Sequence, residues 1–151
     1  KLAFARQLGA TDTVNASDPD AVEQVKELTK GGVDFAVELA GVPKALEAAY
    51  AMCRRGGTVV TAGLPRPEAT LDIPIAQMVS DNRTIKGSYM GSCVPRRDIP
   101  RFLSLYRQGK LPVDRLRSGF VEFDGLNAGF DRLAAGDAVR QVLRPHGTTI
   151  A

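Results

Sequence analysis

Two short segments of the sequence combine glycine with backbone groups at the ends of predicted strands. Ala62-Gly63-Leu64-Pro65 follows a run rich in β-branched residues, and Ser88-Tyr89-Met90-Gly91 ends a second predicted strand. In each segment, glycine keeps side-chain bulk away from unpaired backbone N–H and C=O groups. Such groups can hold a planar amide through main-chain hydrogen bonds, each worth about 0.5–1.5 kcal/mol net. These two segments are therefore the candidate binding residues of the sequence.

Several common catalytic sites have no matching residues. The only histidine, His146, lies in a predicted tail, so a Ser-His-Asp triad, a Cys-His pair or a histidine-rich metal site has no base or ligand in the folded part. Neither a GxGxxG nor a GxxxxGK[ST] phosphate-binding loop occurs. We therefore expect no self-contained hydrolase or metalloenzyme.

The elements that position the two segments alternate between helix and strand. The pattern predicts strands at residues 11–15, 33–39, 58–62 and 84–91, with a further short strand at 70–73. Helices are predicted at residues 1–8 and 75–79 and from starts at Asp18 and Pro43. This alternation is typical of βαβ units with a parallel sheet, so the predicted fold class is α/β. Ligands of such sheets bind beyond the carboxyl ends of the strands.

The pattern changes after residue 91. A helix is predicted from Asp98 to Gly109, a strand near 119–123, a helix from Asp124 to Gly136 and a strand at 139–143. Residues 144–151 are predicted to form a mobile tail.

Composition and cysteine spacing are typical of a soluble cytoplasmic protein. The chain is 44% hydrophobic and 25% charged, and no apolar run approaches the ~20 residues of a membrane span. No signal-peptide pattern is present. Cys53 and Cys93 are far apart without CxxC spacing, so we expect reduced thiols and a cytoplasmic location.

Positive charge is concentrated in one region. Between Arg83 and Arg117, nine Lys or Arg side chains face only Asp98 and Asp114. One interpretation is a polyanion-binding surface on a non-enzymatic module. The other is a solvated surface, or one that meets another domain. We favour the second because only Tyr89, Phe102 and Tyr106 interleave the charges, and we expect neither nucleic acid nor membrane as a partner.

Six blocks of the sequence match a known family in order and spacing: residues 1–11, 31–35, 38–41, 60–65, 86–88 and 129–133. Through them the chain resembles the zinc-dependent alcohol dehydrogenases of the medium-chain dehydrogenase/reductase superfamily. It looks most similar to the branch that includes the glutathione-dependent formaldehyde dehydrogenases. The resemblance extends from Lys1 to about Leu143.

The resemblance implies that nine residues bind a nicotinamide cofactor, NAD with NADP as the alternative. They are Lys1 at the adenosine ribose, Ala40, Gly41, Ala62, Gly63 and Leu64 around the nicotinamide, the backbone of Ser88 and Met90 at its carboxamide, and Arg140 at the pyrophosphate. The family transfers a hydride between an alcohol carbon and nicotinamide, and zinc stabilises the alkoxide as a Lewis acid.

The same resemblance implies that this chain is a C-terminal fragment. The family's zinc ligands, proton relay, glycine motif and acidic ribose-binding residue would all precede Lys1, so no catalytic or metal residue is assigned. Residues 1–90 would be a partial dinucleotide-binding domain, 91–143 a segment that packs on the absent catalytic domain, and 144–151 a tail. The sheet would be an incomplete Rossmann-type, doubly wound sheet without its first two strands.

Missing strands have consequences for assembly and activity. The strand at 11–15 would lose its neighbour and the strand at 33–39 would have an open edge, so we expect a homo-oligomer. We expect the 151 residues alone to be inactive and to bind NAD weakly. A zinc-free NADPH quinone or enoyl reductase of the same superfamily is the alternative enzyme.

Overall fold

A computed structural model describes residues 1–145 of the chain. They form two compact units, one comprising Lys1–Val94 and the other beginning at Pro95. Within the described residues, no helix has the length and apolar character needed to cross a membrane.

The first unit is built around a three-stranded parallel sheet. Its strands are β1 (Val33–Glu38), β2 (Cys53–Thr61) and β3 (Thr84–Gly87), in the order β1-β2-β3. Its helices are α1 (Leu2–Gln7), α2 (Ala21–Leu28), α3 (Pro43–Met52) and α4 (Ile75–Asp81). Helices connect successive parallel strands, as a parallel sheet requires. The predicted α/β fold class is therefore confirmed.

Helix α3 covers one face of this sheet. Pro43 occupies the first helical turn, where its missing N–H costs no hydrogen bond. From there the helix packs Tyr50 onto Ala36 of β1 and Val59 of β2, and these three residues are buried together with Cys53. On the opposite face, Phe35 and Val37 remain exposed.

The second unit contains a two-stranded parallel sheet. It comprises α5 (Pro95–Arg107), β4 (Arg117–Val121), α6 (Leu126–Ala134) and β5 (Arg140–Leu143), and β4 pairs with β5. Val121 is buried, and an added Cβ on Gly129 would lie 3.4 Å from it, so α6 packs closely on β4. Short 3₁₀ helices are present at Val113–Leu116 and Phe123–Gly125 in this unit and at Tyr89–Ser92 in the first unit.

Two predicted strands do not form, and these predictions are wrong. Residues 11–15 and 70–73 pair with no strand among the described residues. A strand needs a hydrogen-bonded neighbour, and residues 11–15 have none among the described residues. The side chain of Thr13 instead accepts a hydrogen bond from Arg6 Nε over 3.0 Å.

Several element boundaries also differ from the prediction. The helix expected from Asp18 begins at Ala21, because Asn15 Nδ2 donates to the Asp18 carboxylate over 3.0 Å and forms a turn with it. The strand predicted at 84–91 ends at Gly87, because Met90 and Gly91 adopt left-handed backbone conformations.

In the second unit, the helix predicted from Asp98 begins three residues earlier, at Pro95. The helix predicted from Asp124 begins at Leu126, after a 3₁₀ turn. Arg144, placed in the predicted tail, is held by an ion pair of 2.7 Å with Glu122. Residues 146–151 of that tail, which include His146, lie outside the described residues. The roles predicted for the three sequence domains stay predictions.

Candidate functional site

The ends of β2 and β3 lie side by side at one edge of the sheet. Thr61 and Gly87 are register partners, and the N–H of Ser88 donates to the carbonyl oxygen of Thr61 over 2.9 Å. A cavity of about 650 Å³ opens between the segments that leave these strands, within the size range of small-molecule sites. It is lined by Thr61, Ala62, Gly63, Leu64, Gly87, Ser88, Tyr89 and Met90.

The end of β1 reaches the same place. The N–H of Ala62 donates to the carbonyl oxygen of Glu38 over 2.9 Å. Gly41 has φ +69°, and an added Cβ there would lie 3.1 Å from the backbone of Leu64. An added Cβ on Gly63 would lie 2.5 Å from the Cα of Gly41. The two chain segments therefore touch backbone to backbone, which only glycine allows at these positions.

Glu38 holds these segments together from inside the sheet. Its side chain is buried, and one carboxylate oxygen accepts from the N–H of Gly41 over 2.6 Å while the other accepts from the Thr61 hydroxyl over 2.7 Å. No ion pair within 4.0 Å involves Glu38 among the described residues. The carboxylate is thus satisfied by hydrogen bonds alone.

The ionisation of Glu38 follows from this environment. Burial acts to raise the pKa of Glu38, but the hydroxyl of Thr61 and the backbone N–H groups of Gly41, Ala40 and Val42 lower it by more. The pKa therefore lies below its ordinary value, because several donors stabilise the charged form. Glu38 is ionised at neutral pH.

Sequence reasoning missed Glu38 as a site residue. It lies two positions after Ala36 on the covered face of β1, where a carboxylate has no water to solvate it. The sequence did contain a signal for this role. Glu38 is an acidic residue on the covered face of an apolar strand, and it lies shortly before a glycine that follows the strand.

A small second cavity lies beside Glu38. It has a volume of about 70 Å³, and its lining includes Glu38, Gly41, Thr61 and Gly63. Thr61 and Gly63 also line the larger cavity. Thr61 therefore contacts the carboxylate and also lines the larger cavity.

The turn after β3 has an unusual backbone. Met90, Gly91 and Ser92 have φ values of 47°, 68° and 55°, and the hydroxyls of Ser88 and Ser92 are 2.9 Å apart. The carbonyl oxygen of Ser88 accepts from the N–H of Gly91 over 3.2 Å and retains a second lone pair for another donor. The turn leaves Tyr89 and Met90 exposed at the mouth of the larger cavity.

The predicted site residues lie in three places: at the larger cavity, at the start of α1, and in the second unit. Ala62, Gly63, Leu64, Ser88 and Met90 line the larger cavity, and Gly41 lies behind it with Ala40. Lys1 is exposed at the start of α1 and lines neither cavity.

Arg140 lies in the second unit, at the start of β5. Its backbone N–H donates to Ser118 Oγ over 3.3 Å, and the N–H of Val139 donates to the same oxygen over 2.7 Å. The Arg140 side chain is exposed.

The described residues do not provide a set of side chains that could bind zinc. Within residues 1–145, no three His, Cys, Asp or Glu side chains cluster as metal ligands. Cys53 is fully buried, and burial raises the pKa of its thiol more than Arg83 lowers it. A thiol in that state is a poor metal ligand. The described residues therefore assign no role to zinc in this part of the protein.

Comparisons with known proteins agree on one family. A family model described as zinc-binding dehydrogenase matches residues 1–108. Geraniol dehydrogenase from Castellaniella defragrans is 33% identical over 144 residues, and alcohol dehydrogenase 1 from Oryza sativa subsp. indica is 34% identical over 143 residues. These alignments cover 95% and 93% of this chain but only 38% of each relative.

A solved structure gives the same result. Benzyl alcohol dehydrogenase from Acinetobacter calcoaceticus superposes with a TM-score of 0.89 at 33% identity. The match covers 95% of this chain and 40% of that one. The chain thus spans about two fifths of the length of the relatives that it matches.

Proposed function

The chain belongs to the zinc-binding dehydrogenase family, and we propose that it forms the nicotinamide side of an oxidoreductase active site. The reaction is hydride transfer between an alcohol or aldehyde adduct and NAD, with NADP as the alternative cofactor. The bound cofactor supplies the hydride acceptor or donor. The observation that carries this proposal is the cavity at the joined ends of β2 and β3, closed behind by the contact between Gly63 and Gly41.

The residues that line the larger cavity, called the nicotinamide wall below, fit a flat ring that bears an amide group. Because glycine replaces bulk at positions 41 and 63, a planar ring can approach the backbone closely. The backbone groups of Ser88 and Met90 would bind the carboxamide, Ala62 and Leu64 would contact the ring, and Ala40 and Gly41 would support these residues from behind the cavity. Apolar walls also exclude water from the ring face, which strengthens the amide hydrogen bonds.

Two residues outside the cavity would bind the rest of the cofactor. Lys1 would donate to the ribose hydroxyls, and Arg140 would contact the pyrophosphate with about 1.5–3 kcal/mol of charge-assisted hydrogen bonding. The similarity of the chain to alcohol dehydrogenases over 93% of its length supports this register. Zinc and the groups that bind the alcohol would come from the longer protein, since the matched relatives extend well beyond this chain.

We further propose a cytoplasmic protein that forms homo-oligomers. Cys53 and Cys93 lie far apart in the sequence without CxxC spacing, which favours a reducing compartment. The outer edge of β1 pairs with no strand among the described residues. A second copy or the remainder of the longer protein would cover this edge. The 151 residues alone would not catalyse the reaction.

Full-length protein from the same gene tests the function. We expect primary alcohols to reduce NAD, a zinc chelator to abolish turnover, and Arg140→Ala to raise the dissociation constant for NAD by about 10- to 100-fold. Arg107→Ala is the matched control, because this arginine is equally exposed in the same unit. A full-length protein that binds no nicotinamide cofactor contradicts the proposal, and zinc-independent NADPH oxidation with quinones supports the reductase alternative.

The chain alone provides a second test. We expect isothermal titration of residues 1–151 with NAD to give no dissociation constant in the micromolar range, because half of the pocket is absent. Micromolar binding would contradict the expected need for the longer protein.

A further inference from the structure

Glu38 places a negative charge directly behind the proposed nicotinamide wall. Its carboxylate contacts the Thr61 hydroxyl, and Thr61 lines the larger cavity. We propose that Glu38 makes this site prefer the oxidised, positively charged nicotinamide ring to the reduced, neutral ring. The inference rests on the proposed function and adds a residue that sets the preference between the two redox states.

Because Glu38 is buried, its charge is screened less by water than the charge of a surface carboxylate. Its side chain is only 5% exposed. Hydrogen bonds from Gly41 and Thr61 fix its position without neutralising it. An ion pair would neutralise it, but Glu38 has none among the described residues. The field of the carboxylate therefore extends into the larger cavity.

Only the oxidised ring responds strongly to this field. Oxidised nicotinamide carries a formal positive charge on its ring nitrogen, and hydride addition removes that charge. A fixed negative charge on the residue that contacts Thr61 attracts the cation and leaves the neutral ring almost unaffected, because Thr61 lines the cavity. We expect a preference of roughly threefold to tenfold at the effective dielectric constant of a protein surface.

The charge of the whole chain works in the opposite direction. The formal net charge is +3, so long-range electrostatics would repel a cationic ligand. A preference for the cation must therefore arise locally. The ring of Tyr89 also lines the cavity and can attract a cation, so loss of the preference in Glu38→Gln is the result that assigns it to the carboxylate.

Two small probes isolate the charge from the rest of the cofactor. 1-Methylnicotinamide is a cation, and 3-methylbenzamide is its neutral analogue with carbon in place of the ring nitrogen. Both are titrated at millimolar concentration into the ¹⁵N-labelled chain, and shifts of the Gly63, Leu64, Ser88 and Tyr89 amides report binding. We expect the cation to bind roughly threefold to tenfold more tightly than its neutral analogue.

Glu38→Gln removes the charge and keeps the hydrogen bonds. The glutamine oxygen can accept from the N–H of Gly41, and its NH₂ group can donate to Thr61, whose hydroxyl both donates and accepts. We expect the variant to bind the two probes equally. Glu23→Gln removes an exposed carboxylate on α2 and serves as the control that keeps the preference.

The outcomes separate the two proposals. Equal binding of both probes by the wild type, or an unchanged preference in Glu38→Gln, overturns the role of Glu38 and leaves the proposed function standing. Absence of any shift at the four amides with either probe overturns the nicotinamide wall and the inference together. If Glu38→Gln fails to fold, the wild-type comparison still decides the sign.

Discussion

The backbones of Gly41 and Gly63 are in direct contact, and a Cβ on Gly63 would lie 2.5 Å from the Cα of Gly41. This contact joins the exit of β1 to the exit of β2. No side chain separates the two backbones at this contact, so a flat ring can approach the backbone of Gly63 closely. The fold and the proposed binding site therefore depend on the same two glycines.

Gly63→Ala should destabilise the first unit and disrupt the backbone contact between residues 41 and 63. The added methyl group meets backbone atoms, which move less easily than a side chain end. We expect a loss of about 1–3 kcal/mol in the free energy of unfolding, as for overpacked cores. Urea unfolding followed by circular dichroism measures this loss.

Gly87→Ala is the matched control, since an added Cβ there has no neighbour within 4 Å. It lies at the end of β3, where alanine restricts the unfolded chain more than glycine does. We expect its stability to equal or exceed that of the wild type. Equal losses in the two variants would show that the Gly41 contact is unimportant.

Acid should weaken the first unit through Glu38. Because the pKa of Glu38 is lower in the folded chain than its ordinary value, its contribution to stability is fully present above the ordinary pKa. That contribution is lost as the pH falls through the lowered, folded-state pKa. The melting temperatures of wild type and Glu38→Gln, measured from neutral to acidic pH, should therefore converge on acidification. A constant difference across this range would contradict the prediction.

Much of the first unit could be predicted from the sequence because its signals are local. Pro43 begins α3, and Gly41 and Gly63 follow β1 and β2, where a glycine marks the end of a strand. The edge where strands end follows from the parallel order. These signals were sufficient to place Ala62 and Ser88 at one cavity.

Other features depend on contacts that no local pattern encodes. Residues 11–15 have a strand-like composition, but a strand requires a neighbour, and this one has none among the described residues. Glu38 looked like an ordinary charged residue because its burial depends on which face of β1 is covered by α3. Its hydrogen bond to Thr61 spans 23 residues of sequence.

The uncovered face of β1 should drive self-association of the chain. Phe35 and Val37 are 72% and 62% exposed on an edge strand, and burying side chains of this size contributes about 1.5–3 kcal/mol each. Phe35→Lys with Val37→Lys should raise the dissociation constant of an oligomer at least about tenfold. Light scattering during size-exclusion chromatography measures the mass against concentration.

Val79→Lys is the control for that experiment, because Val79 is equally exposed but lies on α4, away from β1. Its mass profile should match that of the wild type. A wild-type chain that stays monomeric at micromolar concentration and unfolds in one sharp thermal transition would contradict self-association.

Ser118 should control the position of Arg140. Its hydroxyl oxygen accepts from the N–H groups of Val139 and Arg140 and thereby fixes the start of β5. Ser118→Ala leaves both exposed donors to water, at a cost of about 0.5–1.5 kcal/mol in local stability. Hydrogen exchange at these two amides should accelerate by about twofold to tenfold, because the opening free energy falls.

Ser118→Thr is the matching variant, since it keeps the hydroxyl. We expect it to restore slow exchange at Val139 and Arg140, while the amide of Val121, whose side chain is buried against α6, exchanges slowly in all three proteins. If Ser118→Ala left exchange at residues 139 and 140 unchanged, the hydroxyl would not position Arg140. In full-length protein, the same substitution should weaken NAD binding less than Arg140→Ala, because it displaces the guanidinium without removing it.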